Sequence, residues 1–248
     1  MNYISILLVV AILVASCNED SVELPTDGLI AHYSLDNNTF DESGRNNNGE
    51  GFNITSTTNR KNSNNKAFQF NGIDSKIVTT TEIDNFLSNG LTFSAWIYFT
   101  GETHGRILSN YNGEGNTGIC NERIGFVFGI TNNNQLNIFY AVDGDDYIGR
   151  MTSENTININ EWTHVLGTWN GTFDSSGFSL YINGTKKDTQ NQELGSIPCG
   201  YLESSNPFNI GIGHCSTGEC WAFDGKIDDV RIYNKALNLN DIKLLSQE

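Results

Sequence analysis

The sequence predicts an all-β fold, two antiparallel sheets packed as a sandwich, with a short helical turn at the C-terminus. Three observations carry this. From Gly28 onward the chain is a succession of short alternating or aromatic-rich runs; Gly and Asn separate them; and there are only 3 prolines and no amphipathic helical stretch before the end. At 248 residues the chain stays within the range that such sandwiches occupy as one domain.

In order, the candidate strands are Leu29 to Leu35, Lys66 to Phe70, Lys76 to Thr79, Leu91 to Phe99, Arg106 to Asn110 and Ile124 to Ile130, then Leu136 to Ala141, Thr163 to Asn170, Gly177 to Ile182, Phe208 to Gly213 and Lys226 to Tyr233. Asn71-Gly72, Asn89-Gly90, Asn170-Gly171 and Asn183-Gly184 supply reversals because both residue types tolerate positive φ. Asn183-Gly184 is the clearest hairpin signal. In the Leu91 run, Phe93, Ala95, Ile97 and Phe99 share one face while Ser94, Trp96 and Tyr98 share the other, so this strand is expected to be central and covered twice. Leu239 to Leu245, with Asn238 or Asn240 as N-cap, suits one or two helical turns.

The first 16 residues carry no charged side chain, and Ile4 to Ala15 is an apolar run of signal-peptide length, too short to span a bilayer. It ends in Leu13-Val14-Ala15-Ser16-Cys17, which resembles the bacterial lipobox, whose cysteine is diacylated and becomes the new N-terminus. The resemblance implies a signal peptide over 1–16, a lipidated tether over 17–27 with Cys17 as the anchor, and a domain over 28–248. Asn18, Glu19 and Asp20 resemble the export tag that sends some Gram-negative lipoproteins to the outer face, so an outer-membrane lipoprotein facing the exterior is expected. Contact with the membrane is then through lipid, since 14 basic and 29 acidic residues leave a net charge of −15 that disfavours nucleic acid and anionic lipid.

Apart from Cys17, the 5 cysteines comprise Cys120, Cys199, Cys215 and Cys220, an even set in an oxidising compartment, which reads as two disulfides. Three connectivities are open; Cys215 with Cys220 as a local clasp and Cys120 with Cys199 as the long link is favoured.

Several segments, in order, resemble the laminin-G-like jelly-roll family of the concanavalin A-like lectin and glucanase superfamily. They are Gly28 to Asp36, Asp41-Glu42-Ser43-Gly44, Ala67 to Gly72, the Leu91 strand with Trp96, Trp162-Thr163-His164-Val165 through Gly171, Leu180 to Gly184 and Phe223 to Leu237. The resemblance implies a two-sheet antiparallel jelly roll with first and last strands adjacent. It assigns no function by itself.

It does bear on chemistry. Superfamily glucanases carry two carboxylates in a Glu-x-Asp-x-x-Glu-like run; Glu82-Ile83-Asp84-Asn85-Phe86-Leu87 has the first pair, but Phe86 and Leu87 stand where the second catalytic carboxylate belongs, so the chain is not expected to be a hydrolase of that type. The resemblance also suggests a structural calcium ion between the Asp-x-Ser-Gly turn and the closing strand, held by Asp41, Asp229 and Asp228, with carbonyls near Asn47. The alternative is that Asp41 makes an Asx-turn and Asp229 pairs with Arg231 or solvent. Asp143, Asp145 and Asp146 resemble half of a calcium loop without its closing Glu.

Sugar recognition needs aromatic platforms and planar polar groups on loops of a rigid sandwich. Trp221, Tyr111, Tyr147, Arg123, Asp145 and Asp146 are the candidates. The expected function is a surface-exposed, non-catalytic module that binds carbohydrate or adheres. A glycoside hydrolase or a module binding a cell-surface protein is the alternative.

Overall fold

A computed structural model describes residues 23–79, 90–101, 104–111, 124–142, 146–172, 174–194, 204, 206–215 and 218–248. Expectations placed on Cys17, Glu82, Asp84, Arg123, Asp143, Asp145, Cys120 and Cys199 lie outside the described residues, as does the side chain of Cys215.

In chain order the strands are β1 (Leu29–Tyr33), β2 (Gly49–Phe52), β3 (Thr55–Thr57), β4 (Ala67–Asn71), β5 (Lys76–Thr79), β6 (Leu91–Phe99), β7 (Gly105–Ser109), β8 (Gly125–Ile130) and β9 (Leu136–Val142). They continue with β10 (Asp146–Thr152), β11 (Trp162–Trp169), β12 (Phe178–Ile182), β13 (Thr185–Lys186), β14 (Asp188–Leu194), β15 (Asn209–Ile210), β16 (Gly213–Cys215), β17 (Gly218–Cys220) and β18 (Asp224–Tyr233), before helix α1 (Leu239–Gln247).

Among the described residues these form two eight-stranded sheets. Sheet A runs β13-β12-β11-β6-β18-β4-β3, with β1 also paired to β18; sheet B runs β14-β10-β9-β8-β7-β15-β5-β2; β16 and β17 make a separate hairpin. All pairs are antiparallel, and Leu29 to Tyr33 lies against Tyr233 to Val230, so the opening and closing strands are neighbours as the family resemblance implies.

The sheets meet through alternate side chains. Phe93 of sheet A lies 6.2 Å from Phe126 of sheet B and 5.4 Å from Phe208, and Trp169 lies 5.4 Å from Phe126. Phe93, Ala95, Ile97 and Phe99 all sit in this core, and Trp96 points to the other face of the central strand. Asn183 and Gly184 take φ of 48° and 72°, which is the paired positive-φ turn that joins β12 to β13.

Two expectations change. The run Phe208 to Gly213 breaks after Asn209–Ile210, and Gly213 opens β16, because Gly211 takes φ 87° and a Cβ there would stand 2.2 Å from the Phe70 ring. Asp146, grouped by sequence with Asp143 and Asp145 as half of a calcium loop, instead opens β10, opposite Val142. Strand β10 is also the partner of β14, whose run Asp188-Thr-Gln-Asn-Gln-Glu-Leu shows no apolar alternation. An edge strand of that composition is stabilised by pairing with its neighbour rather than by burial.

Helix α1 begins at Asn238, whose side chain accepts hydrogen bonds from the N–H of Asn240 at 2.8 Å and of Asp241 at 3.1 Å. Ile242 and Leu245 pack on Leu166, Tyr181 and Tyr233, so the helix covers part of the outer face of sheet A. Asn238→Ala is expected to cost about 1 kcal/mol through loss of the cap, read as a lower urea midpoint with an unchanged slope. Among the described residues no helix is long and apolar enough to cross a membrane.

Candidate functional site

The outer face of sheet B carries its own small cluster, separate from the core. On β8 and β9 the core takes Phe126, Phe128, Leu136, Ile138 and Tyr140, and alternation turns Val127, Phe139 and Ala141 outward, where Tyr111 and Tyr147 pack on them. Phe139 and Tyr147 stand 5.4 Å apart. Arg106 lies on the same face, opposite Gly129 on β8, with its guanidinium carbon 5.3 Å from the centre of the Phe139 ring and 4.5 Å from that of Trp221. His104 stands 3.9 Å from Trp221. The result is a continuous strip, Tyr147, Phe139, Arg106, Trp221, crossing β10, β9 and β7.

Trp221 is placed by the β16–β17 hairpin. It takes φ 59° just after β17, its carbonyl accepts the Arg106 N–H at 2.8 Å, and its side chain remains 37% exposed. Gly213 sits so close that a Cβ would meet the Arg106 side chain at 2.8 Å. The hairpin therefore folds onto Arg106 and presents Trp221 at the end of the strip. Burial lowers the Arg106 pKa to about 10, which leaves it protonated at neutral pH.

Two side-chain acceptors border the strip. Asn137 Oδ1 and Gln192 Oε1 are buried without a hydrogen-bond partner, on either side of β10: Asn137, on β9, faces Met151, and Gln192, on β14, faces Gly149. Buried acceptors of this kind take a donor from water or ligand. Gly149 keeps the floor low between them, since a Cβ would stand 2.5 Å from Phe139.

Of the proposed ligand residues, the structure thus brings Trp221, Tyr111 and Tyr147 to one face. Asp146 precedes Tyr147, so alternation sends it to the opposite face. Arg106, Phe139 and His104 were not foreseen. Leu136 to Ala141 does show apolar residues at both parities, and an outward aromatic on a sheet of otherwise small residues was the available signal.

The proposed metal residues lie on the other sheet. A cleft of about 320 Å³ on its outer face is lined by His32, Asp36, Glu42, Arg60, Asp228 and Asp229 among others. Asp229 has φ 52° at the β18 bulge where the register to β6 slips, which turns consecutive carboxylates toward Arg60. The Arg60 guanidinium donates to Asp228 Oδ2 at 2.6 Å and to Asp229 Oδ2 at 2.9 Å while lying 4.7 Å over Trp96. His32 Nε2 at 2.9 Å and Arg231 at 3.1 Å take the other oxygen of Asp229. Burial and the adjacent Asp229 raise the Asp228 pKa to about 7; burial would raise Asp229 too, but His32, Arg231 and Arg60 hold it near 2.

This donor set does not fit a calcium ion. Asp41 Oδ1 accepts the N–H of His32 and of Ser43, and Oδ2 accepts the Asn47 N–H and the Ser43 hydroxyl, each at 2.9 Å. Burial would raise its pKa, and those donors hold it below the ordinary value instead. Asp228 and Asp229 are engaged by cations of the protein. Among the described residues no three His, Cys, Asp or Glu side chains converge as metal ligands. Of the cysteines, Cys220 ends β17, opposite Gly213, and Cys215 is opposite Gly218.

Residues 71–243 match the laminin G-type family of the concanavalin A-like lectin/glucanases superfamily. No curated protein matches the chain. Among solved structures, domain 4 of AbnA, a GH43 extracellular arabinanase from Geobacillus stearothermophilus, in complex with arabinotriose, is similar at 21% identity and TM-score 0.61, over 88% of this chain and 98% of that one. The binding domain of Paraclostridial Mosquitocidal Protein 1 is similar at 20% identity and TM-score 0.61, over 89% of this chain and 52% of that one. The botulinum neurotoxin serotype D binding domain is similar at 20% identity and TM-score 0.58, over 90% of this chain, which spans 52% of that domain. Likeness at these identities establishes the shared two-sheet architecture, and the match over most of the sequence settles kinship: the chain belongs to the laminin G-type family of the concanavalin A-like lectin/glucanases superfamily.

Proposed function

We propose that the protein is a non-catalytic glycan-binding module, held at the outer surface of a bacterial outer membrane by a lipid on Cys17. The observation that carries the reading is the strip Tyr147, Phe139, Arg106, Trp221 on the outer face of sheet B, where Trp221 is exposed, Tyr147 and Arg106 are half-buried and Phe139 is buried beneath the guanidinium. Sugars present C–H faces that stack on aromatic rings and hydroxyls that seek amide and guanidinium groups, and the strip offers both in Trp221 and Arg106. A structurally similar domain holds arabinotriose, which supports the reading without naming this ligand. The proposed disulfide of Cys215 with Cys220 would close the hairpin that carries Trp221, and that pair and the proposed Cys120 with Cys199 both suit an exported protein.

Trp221→Ala is expected to weaken glycan binding about 5- to 150-fold, the ~1–3 kcal/mol of an aromatic contact, with little change in melting temperature. A loss of stability of about 3 kcal/mol or more with unchanged affinity would make Trp221 a plug rather than a platform. Binding is read on a glycan array followed by calorimetry; release of product from a bound glycan would redirect the reading to a hydrolase. The anchor is tested separately. Cys17→Ser should move the protein out of the membrane fraction, and protease shaving of intact cells should remove the wild type.

A further inference from the structure

We infer that the strip is built for an acidic sugar, a glycan bearing an isolated carboxylate, and that Arg106 is the residue that reads the charge. This deepens the glycan-binding proposal and rests on it. The chain holds 29 acidic residues against 14 basic ones, so an arginine without a carboxylate partner is the exception to be explained. Arg60, Arg150 and Arg231 each meet a carboxylate at 3.1 Å or closer. Arg45 is exposed and donates to the Leu29 carbonyl. Arg106 is half-buried, and among the described residues it meets no carboxylate; its guanidinium stands over two aromatic rings.

Ring faces compensate a desolvated cation only in part. A ligand carboxylate would complete it, since the planar guanidinium fork matches a carboxylate with two parallel charge-assisted hydrogen bonds. The neighbouring groups define what surrounds that carboxylate. Trp221, 37% exposed, offers apolar surface to C–H groups beside Arg106, whereas Phe139 is buried and backs the guanidinium from beneath. The net charge of −15 repels densely charged polyanions. A single carboxylate next to apolar C–H surface describes a uronic or a sialic acid.

Titration calorimetry of the full-length chain with two matched pairs tests this: trigalacturonate against its methyl ester, and 3′-sialyllactose against lactose. The expected result is that the acidic member of at least one pair binds at least tenfold more tightly than its neutral counterpart. The gap should shrink with added salt, close in Arg106→Gln and persist in part in Arg106→Lys. Which pair responds identifies the sugar acid. Equal affinity within the pairs, or a gap that survives Arg106→Gln, overturns the inference and leaves glycan binding intact. Should Arg106→Gln fail to fold, the comparison of acid with ester on the wild-type chain decides alone. If neither pair binds, an array of acidic and neutral glycans takes their place: acidic ligands only, lost in the Arg106 variants, supports the inference, neutral ligands only overturns it, and no ligand at all overturns glycan binding with it.

Discussion

Arg60→Ala is expected to destabilise the fold by about 3–5 kcal/mol, the range found when one partner of a buried ion pair is removed. Arg60 comes from the loop between β3 and β4 and reaches the central strands of sheet A, where it bridges Asp228 and Asp229 and stacks on Trp96. Without it, Asp229 keeps Arg231 and His32, whereas Asp228 loses the guanidinium that holds it at 2.6 Å, so the cost falls mainly on Asp228. Urea unfolding at neutral pH reads the loss, and Arg60→Met combined with Asp228→Leu should recover most of it, because an apolar pair of similar volume needs no charge compensation. The same geometry bears on calcium. In the wild type a chelator should leave the melting temperature unchanged, since protein donors engage Asp41, Asp228 and Asp229. In Arg60→Ala added calcium should raise the melting temperature, because adjacent carboxylates are then left for a cation. A wild-type protein that melts several degrees lower in chelator would show that these donors rearrange around an ion.

The legible part of this fold was the part fixed by burial. Alternation over Leu91 to Phe99 requires one side of β6 to be core, and the side facing outward carries Trp96, which receives Arg60. Asn183-Gly184 names its own turn. Strand β14 escaped because its residues take their conformation from pairing with β10, a long-range contact that leaves no local pattern. The same division runs through the candidate sites. Trp221, Tyr111 and Tyr147 were recognisable as aromatic residues near loops, and the structure brings them to one face. Arg106 could not be singled out, because its role depends on Gly129 beside it and on a hairpin more than a hundred residues later in the chain. Arg60 stands in the run Asn59-Arg60-Lys61-Asn62-Ser63, which reads as an ordinary solvated loop. Asp41 and Asp229, named as calcium ligands, are joined in the structure by His32, with its N–H on Asp41 and its ring on Asp229. What sequence cannot show is that two arginines take the oxygens a metal ion would need, Arg60 on Oδ2 of both aspartates and Arg231 on Oδ1 of Asp229.

Acid is expected to destabilise the protein through His164 well before its strongest carboxylates titrate. His164 is fully buried on β11 opposite Trp96, with Nε2 2.9 Å from the Ser94 hydroxyl and Nδ1 without a partner. Burial, helped by the charges of Arg231 and Arg60 and opposed by Asp229, lowers its pKa from 6.5 to about 3. In the unfolded chain the ring takes up a proton near pH 6.5, whereas in the folded chain it resists until about pH 3, so between these values the unfolded state binds more protons. Its contribution is therefore fully present above pH 6.5 and is lost as the pH falls toward 3, at ~1.4 kcal/mol per unit. By pH 4 this amounts to roughly 3 kcal/mol, a large share of the stability of an ordinary domain. Carboxylates add their own losses in the same direction below about pH 5, so the wild-type profile cannot assign the effect. His164→Gln can: its side-chain oxygen still accepts the Ser94 hydroxyl and has no proton to gain. The variant is expected to be somewhat less stable at pH 7 because the glutamine packs less well on Trp96, yet to lose stability more slowly between pH 6.5 and 5, so that the two urea-unfolding curves converge and then cross. Curves that stay parallel across that interval would mean that the buried imidazole takes up its proton without opening the sheet face, and that the acid sensitivity lies in the carboxylates around Arg60 instead.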